Sequence, residues 1–307
     1  MDLPLISIVM CTYNGETFLE AQINSLLNQT YTNLEIIISD DASIDDTRAV
    51  LNRYAGHPLI KLFLQEKNLG FVANFEFTIS KASGDFIALC DQDDVWLPEK
   101  ITELYEHFPA DCLLIYSNSL LIDDNGASLH KTIADLREMY SGSDTRCFAF
   151  YNIVPGHATM IRRALLKYAL PLPSIAFHDW WLAAVATIYG KICYYDKVLN
   201  YYRQHANTIT KSIRPKKIAS RSRSTRYDKY VIQLSYLEKI GELVRPEHRT
   251  FFSRLYNLYK GKTNKGFNVA LFIFLYKYQH IIYRFTKKNF TSRLTDMRKL
   301  ARREKPV

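Results

Sequence analysis

"GDFIALCDQDDVWLPEK", residues 84–100, sets an apolar run directly against three carboxylates in four positions: Asp91, Asp93 and Asp94, with Gln92 between them. Two like charges about 4 Å apart repel by roughly 1 kcal/mol in water, and by about 4 kcal/mol at an effective dielectric near 20. If "FIALC" is a buried strand, the carboxylates at its end need a cation among them or must splay into solvent.

Outward from this stretch, strand and helix signals alternate. "LISIVMC" (5–11) is an almost continuous apolar, β-branched run, as a strand covered on both faces requires. Phe18, Leu19, Ile23, Leu26 and Leu27 then give helical spacing, with Asn14 as N-cap. "LEIIISDD" (34–41) is a second strand ending in an acidic pair. "SIDDTRAVLNRYAG" (43–56) starts at a Ser cap and closes on a glycine, as a helix does. "LIKLFLQ" (59–65), "DFIALC" (85–90) and "CLLIYS" (112–117) are further strands. Helices are predicted over 68–84 and 98–108, the second with Pro98 in its first turn. This order predicts an α/β fold with a doubly wound, mostly parallel sheet and ligands outside the carboxyl ends of the strands. Thr12–Asn14, Asp40–Asp41 and Asp91–Asp94 therefore converge on one edge.

Beyond residue 118 the pattern is less regular. "DDNG" (123–126) is a turn, and 130–150 reads as an irregular or hairpin excursion. "HDWWLAAVATIYG" (178–190) is helical with Asp179 near its start, "KICYYD" (191–196) is a strand, and "YYRQHANTIT" (201–210) has no clear period.

The 307 residues hold 48% apolar and 23% charged side chains, enough for a packed core. No internal repeat is evident. "MDLPLISIVM" runs straight into a strand signal, so no secretory leader is expected. The five widely spaced cysteines contain no C-x-x-C and read as reduced thiols. The net charge of +9 hides an asymmetry. Residues 211–307 carry 25 Lys and Arg against 6 Asp and Glu, a balance of +19, which leaves −10 for residues 1–210. The acidic part suits chemistry, and the basic part suits docking to an anionic partner. Within the basic part, "GFNVALFIFLYKYQHIIYRF" (266–285) is interrupted by Lys277, His280 and Arg284 short of the roughly 20 apolar residues a span needs. It reads as an interfacial amphipathic helix.

The acidic cluster fits a divalent ion, Mg²⁺ or Mn²⁺, held by one or two carboxylates and substrate phosphates. Asp94, ahead of "VWLPEK", reads instead as a helix cap. Asp41 suits a nucleobase N–H or a ribose hydroxyl, and Lys67 and Asn68 stand where they could meet the same nucleotide. Phosphate-accepting receiver domains also place acidic pairs at strand ends, but the order of acids and lysine here does not match them. The chain lacks G-x-x-x-x-G-K-[ST], G-x-G-x-x-G and G-x-S-x-G, which disfavours P-loop, nicotinamide and nucleophile-elbow enzymes.

"ISIVMCTYNGETFLEAQINSLLNQTYTNLEIIISDDASIDDT", "NLGFVANFEFTISKASGDFIALCDQDDVWLPEKI", "GHATMIRRALL", "HDWWLAAVA" and "YRQHANTIT" together resemble the family 2 glycosyltransferases of the GT-A fold over about residues 4–212. The combination of "DQDDVWLP", "HDWW" and "YRQH" is most similar to bacterial rhamnosyltransferase-type enzymes of cell-surface polysaccharides. The resemblance implies a GT-A domain over 1–212 and a helical, basic, membrane-facing region over 213–307. It implies nucleotide-sugar contacts from Cys11, Thr12, Tyr13, Asn14, Asp41, Asp91 and Arg203, metal ligation by Asp91, Asp93 and His205, and catalysis by Asp179. His157, His178, Trp180 and Trp181 would line the acceptor site.

Read from the residues alone, Asp179 could equally be an N-cap, Trp180 and Trp181 core aromatics, and His205 a solvated side chain. His157 stands where relatives often carry another small or polar residue. The implied partners are a dTDP- or UDP-linked donor, a lipid-linked glycan acceptor and the anionic inner face of the plasma membrane. No nucleic acid is expected. The competing classes are a nucleic-acid or anionic-lipid binding protein with a degenerate transferase domain, and a nucleotidyltransferase. The second would need a Gly/Arg-rich phosphate loop where this chain has "TYNGETF".

Overall fold

A computed structural model describes residues 3–205, 226–261 and 266–302. Four parallel strands open the fold: β1 (Ile6–Thr12), β2 (Leu34–Asp40), β3 (Ile60–Leu64) and β4 (Phe86–Cys90), in the order β3-β2-β1-β4. Helices α1 (Leu19–Leu27), α2 (Thr47–Asn52) and α3 (Phe71–Ser80) make the crossovers. Ile8, Val9, Met10, Ile36, Ile37, Ile38 and Leu89 are fully buried, because both faces of these strands are covered.

The second half completes a nine-stranded sheet. It comprises β5 (Val95–Trp96), α4 (Lys100–Glu106), β6 (Cys112–Ile122), β7 (Ser128–Thr132), α5 (Ile133–Leu136), β8 (Thr159–Arg162), α6 (Leu166–Ala169), α7 (His178–Tyr189) and β9 (Lys191–Arg203). Strand β8 runs antiparallel between β4 and β6, β9 lies parallel to β6, and β5 pairs antiparallel with β9. The expected α/β architecture is borne out. The register sets Thr12 beside Asp40, and Met10 beside Cys90. The ends of β1, β2 and β4 therefore meet at one edge.

Several local expectations change. Asn14 is not a helix cap: its φ is +48°, and α1 begins only at Leu19 behind Phe18. The 130–150 excursion is the β6–β7 hairpin followed by α5 and a 3₁₀ turn over Thr145–Phe148. The strand expected over 191–196 continues to Arg203, because β6 offers it a partner along its whole length. Cys112 and Cys193, on these neighbouring strands with Cα atoms 6.3 Å apart, are joined as a disulfide. The other three cysteines are free, so the reading of five reduced thiols does not hold.

The basic part folds into α8 (Arg226–Leu243), α9 (Pro246–Lys260), α10 (Val269–Lys277), α11 (Gln279–Ile282) and α12 (Phe290–Ala301). The expected boundary at 212/213 and the basic stretch 213–225 lie outside the described residues. No single helix forms over 266–285. Leu271, Phe274, Leu275, Ile282, Tyr283 and Phe285 turn inward and join the cluster that holds Phe148, Trp181, Leu237 and Phe252. The apolar content of that stretch is thus mostly core, which a local pattern cannot distinguish from an interfacial face. Among the described residues no helix is long and apolar enough to cross a membrane.

Candidate active site

The carboxyl edge of the sheet is a network of side chains that satisfy one another. Thr12 Oγ1 donates to Asp40 Oδ1 at 3.0 Å, and Ser43 N and Arg48 Nε donate to Asp40 Oδ2 at 3.0 and 2.8 Å. Asp40 is therefore a buried brace. Asp41 accepts from Leu69 N at 2.6 Å and Gly70 N at 3.0 Å, while Asn68 Nδ2 donates to the Asp41 carbonyl at 3.0 Å. A carboxylate has about four lone-pair sites, so Asp41 can hold the 68–70 loop and still accept a further N–H.

Asn14 N donates to Ser43 Oγ at 2.9 Å, and its Oδ1 accepts from Ile44 N at 3.0 Å. Its left-handed turn ties the loop after β1 to the loop after β2. Cys11 Sγ lies 3.3 Å from Thr78 Oγ1, and burial pushes the thiol pKa up. Tyr13 is 46% exposed at the mouth.

Gln92, the residue between the aspartates, carries no signal of its own in the sequence. Its Oε1 accepts from Tyr13 N at 2.9 Å, and its Nε2 donates to the Tyr13 carbonyl at 3.1 Å. This amide clamp joins the loop after β1 to the acidic loop after β4.

Below the mouth the acidic cluster divides. Asp93 Oδ2 lies 2.7 Å from His205 Nε2, bringing together two of the three expected metal ligands. Asp94 is fully buried and is not a helix cap, since α4 starts only at Lys100, behind Glu99. Its Oδ1 accepts from Arg203 N at 3.0 Å, because the β5–β9 pairing brings the two together. Its Oδ2 is buried, with no hydrogen-bond partner among the described residues. His157 sits beneath, with Nδ1 3.7 Å from Asp94 Oδ2 and 3.8 Å from Asp91 Oδ2. Its Nε2 lies 3.0 Å from Ser119 Oγ. One ligand atom each from Asp91, Asp94 and His157 fall within 4.8 Å of one another.

The electrostatics follow from burial. Desolvation, then the charges of Asp93 and Asp179, push the Asp91 pKa upward; with 35% of the side chain exposed, solvent moderates the shift. Desolvation pushes Asp94 upward too, and His157 downward, so the imidazole is neutral and free to offer a lone pair. Lys100, which reads in sequence as an ordinary first-turn residue, is fully buried under this cluster. Its Nζ donates to the His157 carbonyl at 2.5 Å and lies 3.5 Å from Asn200 Oδ1 and 3.6 Å from the Trp96 ring centre. Burial draws its pKa down to about 7.

A divalent ion fits here on two observations: the unpartnered, buried Asp94 Oδ2, and carboxylates that burial and mutual repulsion hold at raised pKa. The mixed carboxylate and imidazole donors suit Mn²⁺ better than Mg²⁺, which prefers oxygen alone.

Asp179 heads α7 on the far side. Its Oδ1 accepts from Trp180 N at 2.7 Å, and the neighbouring Gly156 backbone and Asn152 side chain also favour the charged form. Desolvation outweighs these influences and brings its pKa up to about 6. His178 stacks on Phe75 with ring centres 3.8 Å apart. Neither of its nitrogens has a hydrogen-bond partner among the described residues, and burial lowers its pKa to about 3. Trp180 Nε1 donates to the Phe148 carbonyl at 2.9 Å, and Trp181 Nε1 to the Ala169 carbonyl at 2.8 Å. Trp181 is buried, while Trp180 keeps part of its surface exposed. Arg203 lies over the Phe18 ring, and its Nε and Nη1 donate to the carbonyls of Asp93, Asp123 and Asp124. Those donors brace the acidic loop from below.

Comparison with known proteins identifies the family. The family model described as "Glycosyl transferase family 2" matches residues 7–169, more than half of the chain. A glycosyltransferase of Haemophilus influenzae is 29% identical over 218 residues, covering 66% of this chain and 67% of the relative. A second, from Nostoc, is 28% identical over 213 residues, covering 65% of each. The chain thus spans about two thirds of the length of these relatives. Among solved structures, residues 1–349 of TarS from Staphylococcus aureus in complex with UDP-GlcNAc are similar with a TM-score of 0.59 at 18% identity, covering 91% of this chain and 82% of that one. A mannosyltransferase from Pyrobaculum calidifontis in complex with GDP-Man and Mn²⁺ gives 0.52 at 14% identity, covering 97% and 85%. At such identities the likeness is one of fold.

Proposed function

The chain belongs to glycosyl transferase family 2, and from that premise we propose that it moves a sugar from a nucleoside-diphosphate donor to a hydroxyl of a growing, lipid-linked cell-surface glycan, with inversion at the anomeric carbon. The observation that carries this reading is the single carboxylate set across the crevice from the acidic cluster. Asp179 lies near enough for its charge to act on Asp91, and its raised pKa suits it to take a proton near neutral pH.

In the proposed step the acceptor oxygen attacks the anomeric carbon in line. The bond from that carbon to the diphosphate oxygen breaks, its electron pair leaves with the diphosphate, and the hydroxyl proton passes to Asp179. One base and one displacement invert the centre. Asp91, Asp93 and His205 would hold the divalent ion, with Asp94 and His157 behind them. When bound, the ion supplies Lewis-acid stabilisation of the leaving diphosphate. Tyr13, Asp41 and the Cys11–Asn14 loop would seat the nucleoside, Arg203 would stiffen the loop that meets the diphosphate, and Trp180 with His178 would shape the acceptor side.

The proposed donor is dTDP-L-rhamnose first and a UDP-hexose second. The place of action is the cytoplasmic face of the plasma membrane, with the basic helices facing it. Calorimetric titration with dTDP, UDP and GDP, each with Mn²⁺ and with EDTA, tests the reading. Metal-dependent binding of one nucleotide supports it and identifies the base. Absence of binding by all three removes the donor site.

A further inference from the structure

The described residues expose 14 large apolar side chains, and five of them fall within residues 267–290. On α10, Val269, Ile273 and Tyr276 are 58%, 60% and 48% exposed at helical spacing, on the side opposite the buried Leu271, Phe274 and Leu275. Phe290, 54% exposed at the start of α12, brings its ring centre to 6.4 Å from that of Tyr276. These side chains form one apolar stripe across two helices. Residues 266–302 contain eight Lys and Arg against a single acid, Asp296, which is paired with Lys288.

The connector between α11 and α12 runs from this stripe to the far side of the crevice. Lys287 Nζ donates to the Ala134 carbonyl at 2.8 Å, and Lys288 Nζ lies 5.7 Å from the Tyr151 ring centre. Tyr151 precedes Asn152, a neighbour of the Asp179 carboxylate that favours its charged form. Arg137 donates to the Asn152 carbonyl at 3.2 Å and forms an antiparallel bridge with Thr286.

We propose that Val269, Ile273, Tyr276 and Phe290 form a face that seats in the headgroup layer of an anionic bilayer, with the basic 284–288 connector holding the Asp179 side of the crevice at the membrane surface. This deepens the proposed function and rests on its membrane-bound acceptor. Exposed apolar side chains in a segment rich in exposed cations match what an anionic lipid surface offers: an apolar layer to enter and negative headgroups around it. The docking element is therefore a patch on two packed helices, and its apolar and electrostatic parts are separable.

The test is flotation of the full chain with vesicles of phosphatidylcholine alone and with roughly one-third phosphatidylglycerol. Binding to the anionic vesicles is expected, with a fraction that survives about 0.5 M salt. Ile273→Ser with Tyr276→Ser and Phe290→Ser should lower vesicle affinity at least about tenfold and remove the salt-resistant fraction. Lys287→Glu with Lys288→Glu should remove mainly the salt-sensitive one. Ile273→Glu alone serves if the triple variant misfolds.

Wild-type failure to bind anionic vesicles, or a triple variant that binds like wild type, overturns the proposal. So does a wild-type dimer in light scattering that the triple variant abolishes, which would assign the stripe to a second copy. Nucleotide binding without vesicles separates the two readings. A chain that binds nucleotide but not lipid loses only the docking face, and one that binds lipid but no nucleotide loses the transferase reading.

Discussion

The crevice and the C-terminal helices handle charge in opposite ways. At the carboxyl edge of the sheet, Asp40, Asp41, Asp94, Lys100, His157 and Arg203 are buried and held by side chains, backbone N–H groups and carbonyls from other parts of the chain. In the helices after residue 226 the buried layer is aromatic and aliphatic, and most of the cations face water. A buried charge acts strongly on its neighbours because little water screens it. An exposed charge acts weakly on the fold, yet attracts a distant anionic partner until salt screens it. The first arrangement suits chemistry and the second suits docking.

The largest test of this contrast is Asp179→Asn. Turnover should fall by about 10²–10⁴-fold, the contribution of a positioned general base, with nucleotide affinity retained. The protein should not lose stability. The raised pKa of Asp179 means that the folded chain keeps a proton which the unfolded chain has released between pH 3.8 and about 6. Its contribution to stability therefore falls as pH rises through that window, and the neutral amide abolishes that fall. Melting temperatures of both forms at pH 5 and pH 7.5 measure it; a variant that melts lower at both values would make Asp179 a structural residue.

Asp93→Asn comes next, with loss of the metal-dependent part of nucleotide binding. Titration with Mn²⁺ and with EDTA reads it, and unchanged metal dependence would leave Asp91, Asp94 and His157 as the ion's holders.

Lys100→Met probes the buried side of the crevice. Leaving the His157 carbonyl without the Lys100 donor should cost about 1–3 kcal/mol in denaturant unfolding. The loss of its positive charge should also weaken nucleotide binding in the absence of metal, by leaving more net negative charge near the diphosphate. A stability loss with unchanged nucleotide affinity would confine Lys100 to packing.

The smallest effect is a shape. At saturating substrate the rate should climb as pH rises through about 6, when the Asp179 carboxyl loses its proton, and then level off. A rate that is flat between pH 5 and pH 7.5 would assign the proton transfer elsewhere.

What the chain's own sequence determined is what depends on near neighbours. Doubly apolar strands ending in acids, helical spacing between them, and the split between an acidic and a basic part are all periods or compositions. Such local patterns suffice to put Asp41, Asp91 and Asp93 at one sheet edge. The Ser43 cap and the Gly56 and Gly84 stops read from the sequence are not where the helices begin and end: α2 spans Thr47–Asn52 and α3 ends at Ser80. What only the tertiary structure decided depends on which distant residues become neighbours. Gln92 reads as a spacer until its amide meets Tyr13, and Lys100 as a helix start until His157, Trp96 and Asn200 of β9 close over it. The apolar run at 266–285 reads as one amphipathic helix until the core takes one side and leaves Val269, Ile273 and Tyr276 outside. Burial is a property of packed surfaces, and a side chain's charge, pKa and role follow from it.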